Sequence, residues 1–131
     1  MDEGLFIDSS WARLEGEAAV ARHLDTGRSR FDGLFAMNDS SALGAMRAVL
    51  RFGLRIPDDI AVVGFDDIDE ARTSVPSLTS VGPANADIAR SSLDLLEVQA
   101  DAAEGRPAEQ RRVPFRLHVR ESSAPVTVTT G

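Results

Sequence analysis

The run Ile60-Ala61-Val62-Val63-Gly64-Phe65, followed at once by Asp66-Asp67, constrains this chain more than any other stretch. It is apolar or small throughout and nothing in it alternates. A strand with one face in water alternates polar and apolar side chains, whereas a strand covered on both faces reads as a continuous apolar run. Residues 60–65 therefore read as a central strand of a parallel sheet with helices on both sides. Two carboxylates stand at its carboxyl end. In open α/β sheets ligands bind in the crevice beyond that end, so Asp66 is placed where a polar ligand would be held.

The segments before the run supply the alternation such a sheet needs. Leu5-Phe6-Ile7 reads as the end of a strand. Ser9 and Ser10 are suited to cap a helix, and Leu14, Ala18, Ala21 and Leu24 give residues 11–25 an apolar stripe at helical spacing. Gly27 is its expected stop. Residues 31–37 read as a second buried strand. Asn38 and Asp39 close it and can cap a helix over residues 40–52, on which Leu43, Met46, Val49 and Leu50 share a side. Ala42, Gly44, Ala45 and Ala48 permit close approach of another element, and Gly53 ends the helix. Ile56-Pro57-Asp58-Asp59 then turns the chain into the central run. Helix, strand, helix, strand in succession marks a parallel sheet with right-handed crossovers.

Beyond Asp67 the pattern loosens. Residues 75–81 read as a loop and a short strand. Pro83 can open a helix, and residues 85–104 carry Ile88, Leu95, Leu96 and Ala103 before Gly105 and Pro107 stop them. Val113, Phe115, Leu117 and Val119 alternate with Pro114, Arg116, His118 and Arg120, a half-exposed strand. Residues 123–131 are small and polar and read as disordered.

A length of 131 residues, 43% apolar and 27% charged, fits one globular domain. No apolar run approaches the ~20 residues that span a bilayer, so no membrane partner is expected. The net charge of -7 and the pI near 4.7 are the opposite of a basic nucleic-acid footprint, and the chain should not bind DNA by itself. The absence of cysteine rules out disulfides and thiolate metal sites. With an acidic start that does not read as a signal peptide, this suits a cytoplasmic protein.

Catalysis has little support. Asp39, Asp66 and Asp67 resemble the acidic pocket of a phosphoryl-accepting receiver, but that site needs a lysine, and all 14 basic residues are arginine. A hydrolase triad needs a nucleophile on a strand-to-helix turn with a histidine in reach. His23 falls on a helix and His118 on the alternating strand, neither within a motif, and both read as surface residues. No zinc pattern or glycine-rich phosphate loop is present. The expectation is no enzyme, no catalytic residue, no metal and no cofactor.

Several stretches, in their order and spacing from Trp11 to Pro125, resemble the LacI family of bacterial transcription regulators. They are Phe35-Ala36-Met37-Asn38-Asp39, Ala42-Leu43-Gly44-Ala45-Met46-Arg47-Ala48 and Gly53-Leu54-Arg55-Ile56-Pro57-Asp58-Asp59-Ile60. The series continues with Val62-Val63-Gly64-Phe65-Asp66-Asp67, Pro76-Ser77-Leu78-Thr79-Ser80-Val81 and Val119-Arg120-Glu121-Ser122-Ser123-Ala124-Pro125. The resemblance implies an α/β fold, a parallel sheet flanked by helices, forming part of a type I periplasmic-binding-protein-like domain. Residues 1–81 would belong to its C-terminal effector-binding subdomain. Residues 82–117 would be the returning helix and strand of the N-terminal subdomain, and residues 118–131 a final strand and tail.

The function so implied is binding of a small polar effector, such as a sugar, within a homodimeric repressor. DNA would be reached only through a helix-turn-helix headpiece that this chain does not contain. Three positions carry over to the effector site. Trp11 matches an aromatic that packs on the effector, Asn38 an amide in a strand-to-helix turn, and Asp66 the carboxylate that holds effector hydroxyls. An arginine that many members place further upstream would lie before Met1. The dimer contact carries over to Ser41, Leu43, Gly44, Met46, Arg47, Pro76 and Leu78. Asp67 reads as a turn former, whose loss should matter less than that of Asp66. The apolar sides of the last helix and strand, with Ile88, Leu95, Leu96, Val113 and Phe115, should be exposed and favour association. Two alternatives share the fold: a solute-binding protein of a sugar transport system, and an inactive truncated gene product.

Overall fold

A computed structural model of the chain describes residues 5–27, 31–100 and 109–124. These form α1 (Arg13–Asp25), β1 (Gly33–Phe35), α2 (Asp39–Arg51), β2 (Ala61–Phe65), α3 (Asp69–Thr73), β3 (Thr79–Pro83), α4 (Asn85–Ala100) and β4 (Phe115–His118). The strands lie side by side in chain order. β1–β2 and β2–β3 are parallel, with Leu34 opposite Val62 and Gly64 opposite Ser80. β4 returns antiparallel to β3, with Gly82 opposite Arg116. The mixed α/β architecture with a mostly parallel sheet is the one the alternation of elements implies.

α2 is the element against which the rest is built. Asn38, in extended backbone, accepts the Ser41 amide hydrogen on its side-chain oxygen at 2.7 Å and so caps the helix. At the other end Gly53 takes φ +74°, its amide reaching the Leu50 carbonyl while the Leu54 amide reaches that of Val49. Such a crossed pair of bonds needs a residue in the left-handed region, which glycine adopts without strain. Between these ends Ala42, Ala45, Met46, Ala48 and Val49 are buried and pack with Val20, Ile60, Val62, Ala71 and Leu78 into one core.

α1 crosses α2 at very short range, and two glycines allow it. A Cβ at Gly16 would lie 2.7 Å from the Ser41 carbonyl oxygen, and one at Gly44 would collide with the Arg13 carbonyl and sit 2.8 Å from the Glu17 amide nitrogen. The face of α1 that meets α2 is therefore Gly16, Glu17, Ala19 and Val20. The expected stripe is met in part: Ala21 and Leu24 pack against the core, whereas Leu14 is 75% exposed and Ala18 is also outside. Glu17 turns inward because Arg47 and Arg51 of α2 donate to it at 3.2 and 2.7 Å. The Arg51 hydrogen bond, with the charge of both arginines, holds its carboxyl below the usual range against the opposing effect of burial.

Several other expectations are corrected. Residues 5–7 form no strand; Leu5 and Phe6 are exposed and only Ile7 packs against the core. β1 is short and lies at the sheet edge, so only Leu34 is partly buried while Phe35 is 57% exposed. β2 buries Val62 and Gly64 and leaves Ala61, Val63 and Phe65 half-buried, so among the described residues one face is fully covered rather than both. α3, a five-residue helix, falls where the pattern was irregular. β4 does not alternate inside and outside: Phe115 and Leu117 are 58% and 59% exposed. Both histidines are half-buried rather than on the surface. α4 begins at Asn85 and buries none of its residues. Its expected end at Glu104, the stops at Gly105 and Pro107, and the tail over 125–131 lie outside the described residues. No described helix is long and apolar enough to cross a membrane.

The segment after β4 closes the sheet. The Ser122 carbonyl accepts the Val62 amide hydrogen at 2.8 Å, and the Ser122 amide donates to the Ser77 carbonyl at 2.9 Å. The Ser122 hydroxyl, fully buried, donates to the Val62 carbonyl and accepts the Thr79 amide hydrogen. One serine thus joins the starts of β2 and β3. Glu121 beside it accepts from both the amide and the hydroxyl of Ser77, at 2.7 and 3.0 Å.

Gly44→Ala tests the helix crossing. Alanine is the better helix former by about 1 kcal/mol, yet its methyl group has no room, and overpacking typically costs about 1–3 kcal/mol. The expected result is a lower urea midpoint with an unchanged slope; a raised midpoint would show that the helices separate freely.

Candidate ligand-binding site

The carboxyl ends of β1 and β2 bring together two short polar turns. The first, after β1, holds Asn38 and Asp39. Asn38 caps α2 through its side-chain oxygen, and its amide nitrogen donates to the Trp11 carbonyl at 3.0 Å. The same side chain therefore fixes the start of α2 and the approach to α1. One amide hydrogen and one lone pair remain for a ligand. The Trp11 carbonyl is held by this bond, while the residue is 69% exposed.

Asp39 is completely buried. It accepts the Ser80 hydroxyl at 2.7 Å and the Ile68 amide hydrogen at 3.0 Å. Its carboxylate lies over β2 in the space that a side chain at Gly64 would occupy. The residue thus links the head of α2 to β3 and to the turn after β2.

That second turn holds Asp66 and Asp67, with φ +108° and +53°. Non-glycine residues rarely enter this region; each such residue costs roughly 1–3 kcal/mol and persists where its surroundings over-determine it. The surroundings here are specific. The Asp66 amide donates to the Val81 carbonyl at 2.9 Å and the Asp67 amide to the Ser80 hydroxyl at 3.0 Å. Gly82 lets the turn lie directly on β3, since a Cβ there would be 2.8 Å from the Asp66 carbonyl oxygen.

The two neighbouring carboxylates have opposite fates. Asp67 is buried and accepts from Arg120 and, at 2.8 Å, from Arg72, with His118 Nε2 at 3.5 Å. Burial alone would raise its carboxyl, but the hydrogen bonds of Arg120 and Arg72 outweigh this and hold it below the usual range. Asp66 is exposed, and its carboxylate has no hydrogen-bond or ion-pair partner among the described residues. Partial burial, and then the neighbouring Asp39, push it above the usual range. A carboxylate in this position can accept from two adjacent hydroxyl groups.

Trp11 is joined to Asn38 by a hydrogen bond, and Asp39, next to Asn38, is bonded to the Ile68 amide just beyond the Asp66–Asp67 turn, so the three predicted residues lie on segments tied together at this end, or rim, of the sheet. The polar residues beneath the rim, Asp39, Ser80 and Arg120, were not singled out by sequence reasoning as parts of the site. Asp67 is more than a turn former: it is the most heavily paired acid at this end of the sheet. Among the described residues no cluster of three or more His, Asp or Glu side chains is arranged to hold a metal ion.

A separate groove, between α2 and residues 70–75, is lined by Leu43, Met46, Arg47, Leu50, Glu70 and Val75 among others. It shares no residue with the rim. Of the residues assigned to a dimer contact, Gly44, Met46 and Leu78 are buried within the chain, Ser41 is tied to Ser10 and Asn38, and Leu43, Arg47 and Pro76 keep accessible surface.

Comparison with known proteins agrees with this fold. The profile of the periplasmic binding protein-like domain matches residues 6–123. The ribose operon repressor of Halalkalibacterium halodurans is 41% identical over 106 residues, which are 79% of this chain and 31% of the repressor. A solved structure from Sanguibacter keddieii, assigned to the LacI family of transcriptional regulators, is 44% identical with a TM-score of 0.83, covering 93% of this chain and 46% of that one. A LacI family regulator from Enterococcus faecium with bound ribose is 30% identical with a TM-score of 0.79, covering 92% and 44%. The chain spans about a third of the length of its curated relative and less than half of these solved structures. With a matching profile over most of its length and LacI-type relatives in sequence and structure, the chain belongs to the periplasmic binding protein-like domain family, in the form carried by LacI-type transcriptional regulators.

Proposed function

We propose that this chain forms one wall of the effector site of a LacI-type transcriptional regulator, and that the effector is a sugar or a molecule with similar paired hydroxyls. The observation that carries the reading is Asp66. At this rim the carboxylates of Asp39 and Asp67 and the Ser80 hydroxyl are paired, whereas the Asp66 carboxylate has no partner among the described residues, in a backbone conformation that is costly to keep. Strain of this kind gathers at ligand clamps. The related ribose operon repressor and the ribose-bound solved structure support a sugar over other polar molecules. Trp11 would stack on the sugar ring and Asn38 would use its remaining hydrogen-bonding capacity. Binding would bias the regulator between two conformations and so change operator affinity through a headpiece elsewhere in the protein. The chain itself, with its net charge of -7, would contribute no DNA contact.

The groove on the far side of α2 supports a homodimer. Val75 is 88% exposed and Leu50 45%, and with Leu43 they give an apolar patch beside Arg47. Val75→Glu combined with Leu50→Glu should shift the mass seen by light scattering toward monomer. An unchanged mass would place the contact elsewhere, for example on the exposed apolar residues of α4 and β4.

Asp66→Ala in the complete regulator should weaken binding of D-ribose by about ten- to a hundredfold. Bonds to a charged group contribute roughly 1.5–3 kcal/mol each, and each 1.4 kcal/mol is about a factor of ten. Equal affinities would remove Asp66 from the site. Because its folded-state carboxyl is raised, ionised Asp66 opposes folding above the unfolded value. Asp66→Asn should therefore be at least as stable as the wild type at neutral pH.

Asp67→Asn should behave in the reverse way. It leaves Arg120 half-buried beside a neutral group, a change of about 3 kcal/mol. The sign with pH follows from the lowered carboxyl. Its contribution is fully present above the unfolded value near ~3.9 and is lost as the pH falls through the lower folded value. The urea midpoint of the wild type should drop below about pH 4, and that of Asp67→Asn should start lower and drop less. Parallel curves would exclude Asp67 as a source of the acid sensitivity.

A further inference from the structure

Two consecutive left-handed residues, neither a glycine, require an external hold. The amide bonds to Val81 and to the Ser80 hydroxyl fix where the turn begins. They do not by themselves fix its later part, where Asp67 turns back toward α3. That part is held from two sides, by the bond of the Ile68 amide to Asp39 at 3.0 Å and by the Asp67 side chain, whose shortest hydrogen bond comes from a distant segment. Arg120 donates one guanidinium nitrogen to Asp67 and the other to the Leu78 carbonyl at 2.7 Å. Its own amide donates to the Thr79 hydroxyl at 2.7 Å, and Ser122, two residues on, is locked into β2 and β3. The guanidinium is thus delivered by backbone that cannot drift. Arg72, 56% exposed, reaches the other Asp67 oxygen, and His118 approaches the same oxygen from β4.

Asp66 and Asp67 share a peptide bond, so the anchoring of one sets the direction in which the other leaves the backbone. We propose that Arg120 is a positioning residue for Asp66: by gripping Asp67 and the Leu78 carbonyl together, it keeps the Asp66–Asp67 pair left-handed and presents the Asp66 carboxylate to ligand hydroxyls. This rests on Asp66 being the ligand-binding carboxylate. Arginine suits the task because its planar fork serves two acceptors in fixed, divergent directions, which a lysine ammonium does not. Arg120→Lys therefore keeps the charge and removes the geometry.

The hold is tested on this chain by NMR. The three-bond amide–Hα couplings and the Cα shifts of Asp66 and Asp67 report the sign of φ. In Arg120→Lys they should move toward extended values while resonances of α2 stay in place. Unmoved values in a folded variant would overturn the proposal. Should Arg120→Lys lose its dispersed spectrum, Asp67→Asn breaks the same bond from the other side and is read in the same way. The consequence for binding is tested by titrating the complete regulator with D-ribose. Arg120→Lys should weaken binding about tenfold, as when the competent turn falls to about a tenth of the population. In the Asp66→Ala background the same substitution should cause no further loss. An equal loss in both backgrounds would overturn the proposal, since Arg120 would then act independently of Asp66. If Asp66→Ala binds as the wild type does while the couplings in Arg120→Lys still move, the hold on the turn stands and the assignment of Asp66 as the ligand carboxylate falls.

Discussion

The Asp39 carboxylate is the contact on which this end of the molecule depends. It stands at the first turn of α2, where an acid is favoured by the helix dipole, and both of its oxygens are committed. One takes the Ser80 hydroxyl of β3 and the other the Ile68 amide beyond the Asp66–Asp67 turn. A single buried group therefore registers a helix, a strand and a turn against one another. It fits only because β2 carries glycine at position 64. The serine it holds in turn accepts the Asp67 amide hydrogen, so the chain Asp39–Ser80–Asp67–Arg120 links α2, β3, the turn after β2 and the segment after β4. Buried polar chains of this kind are stabilising when every member is satisfied and damaging when one is not.

Charge is distributed to match. The chain is acidic overall, and two of its inward-facing acids are held by arginines, whereas the fully buried Asp39 is held by a hydroxyl and a backbone amide. Arg47 and Arg51 flank Glu17 between α1 and α2, and Arg72 and Arg120 flank Asp67 beneath the rim. Asp66 differs from all three in that its carboxylate has no hydrogen-bond or ion-pair partner among the described residues.

Much of this was legible in the sequence, and the reasons for the misses are physical. The run over residues 60–65 gave β2 because continuous apolar character survives in a strand whose neighbours cover it. Asn38 and Gly53 gave the limits of α2 because capping is a local effect of residue type. The place of Asp66 just beyond the carboxyl end of β2 was legible from the same run. The buried face of α1 was legible only at Ala21 and Leu24, because reading periodicity from large side chains assumes that they point inward. At the crossing with α2 the small residues do so, and Leu14 is displaced to solvent. Residues 5–7 and β1 misled because short apolar stretches carry no sign of whether a neighbouring strand will cover them. Asp67 was underrated for a related reason. Its partners, Arg72 and Arg120, lie 5 and 53 residues away, and a pairing at the longer separation leaves no trace in local pattern. His118 was assigned to the surface on the same ground.

The bridge made by Ser122 has a consequence for how the domain is born. The Ser122 hydroxyl meets a carbonyl 60 residues earlier in the chain, and its backbone supplies the partner of the Val62 amide. While the polypeptide is being made, β2 can pair with β1 and α2 can pack on it, but the start of β2 and the grip on the Asp66–Asp67 turn must wait. At translation rates of about 5–20 residues/s this interval is roughly 3–12 s. During it the nascent sheet carries an open seam and a rim without its final shape. The rim acquires its final shape only when residues 120–122 emerge and seat themselves.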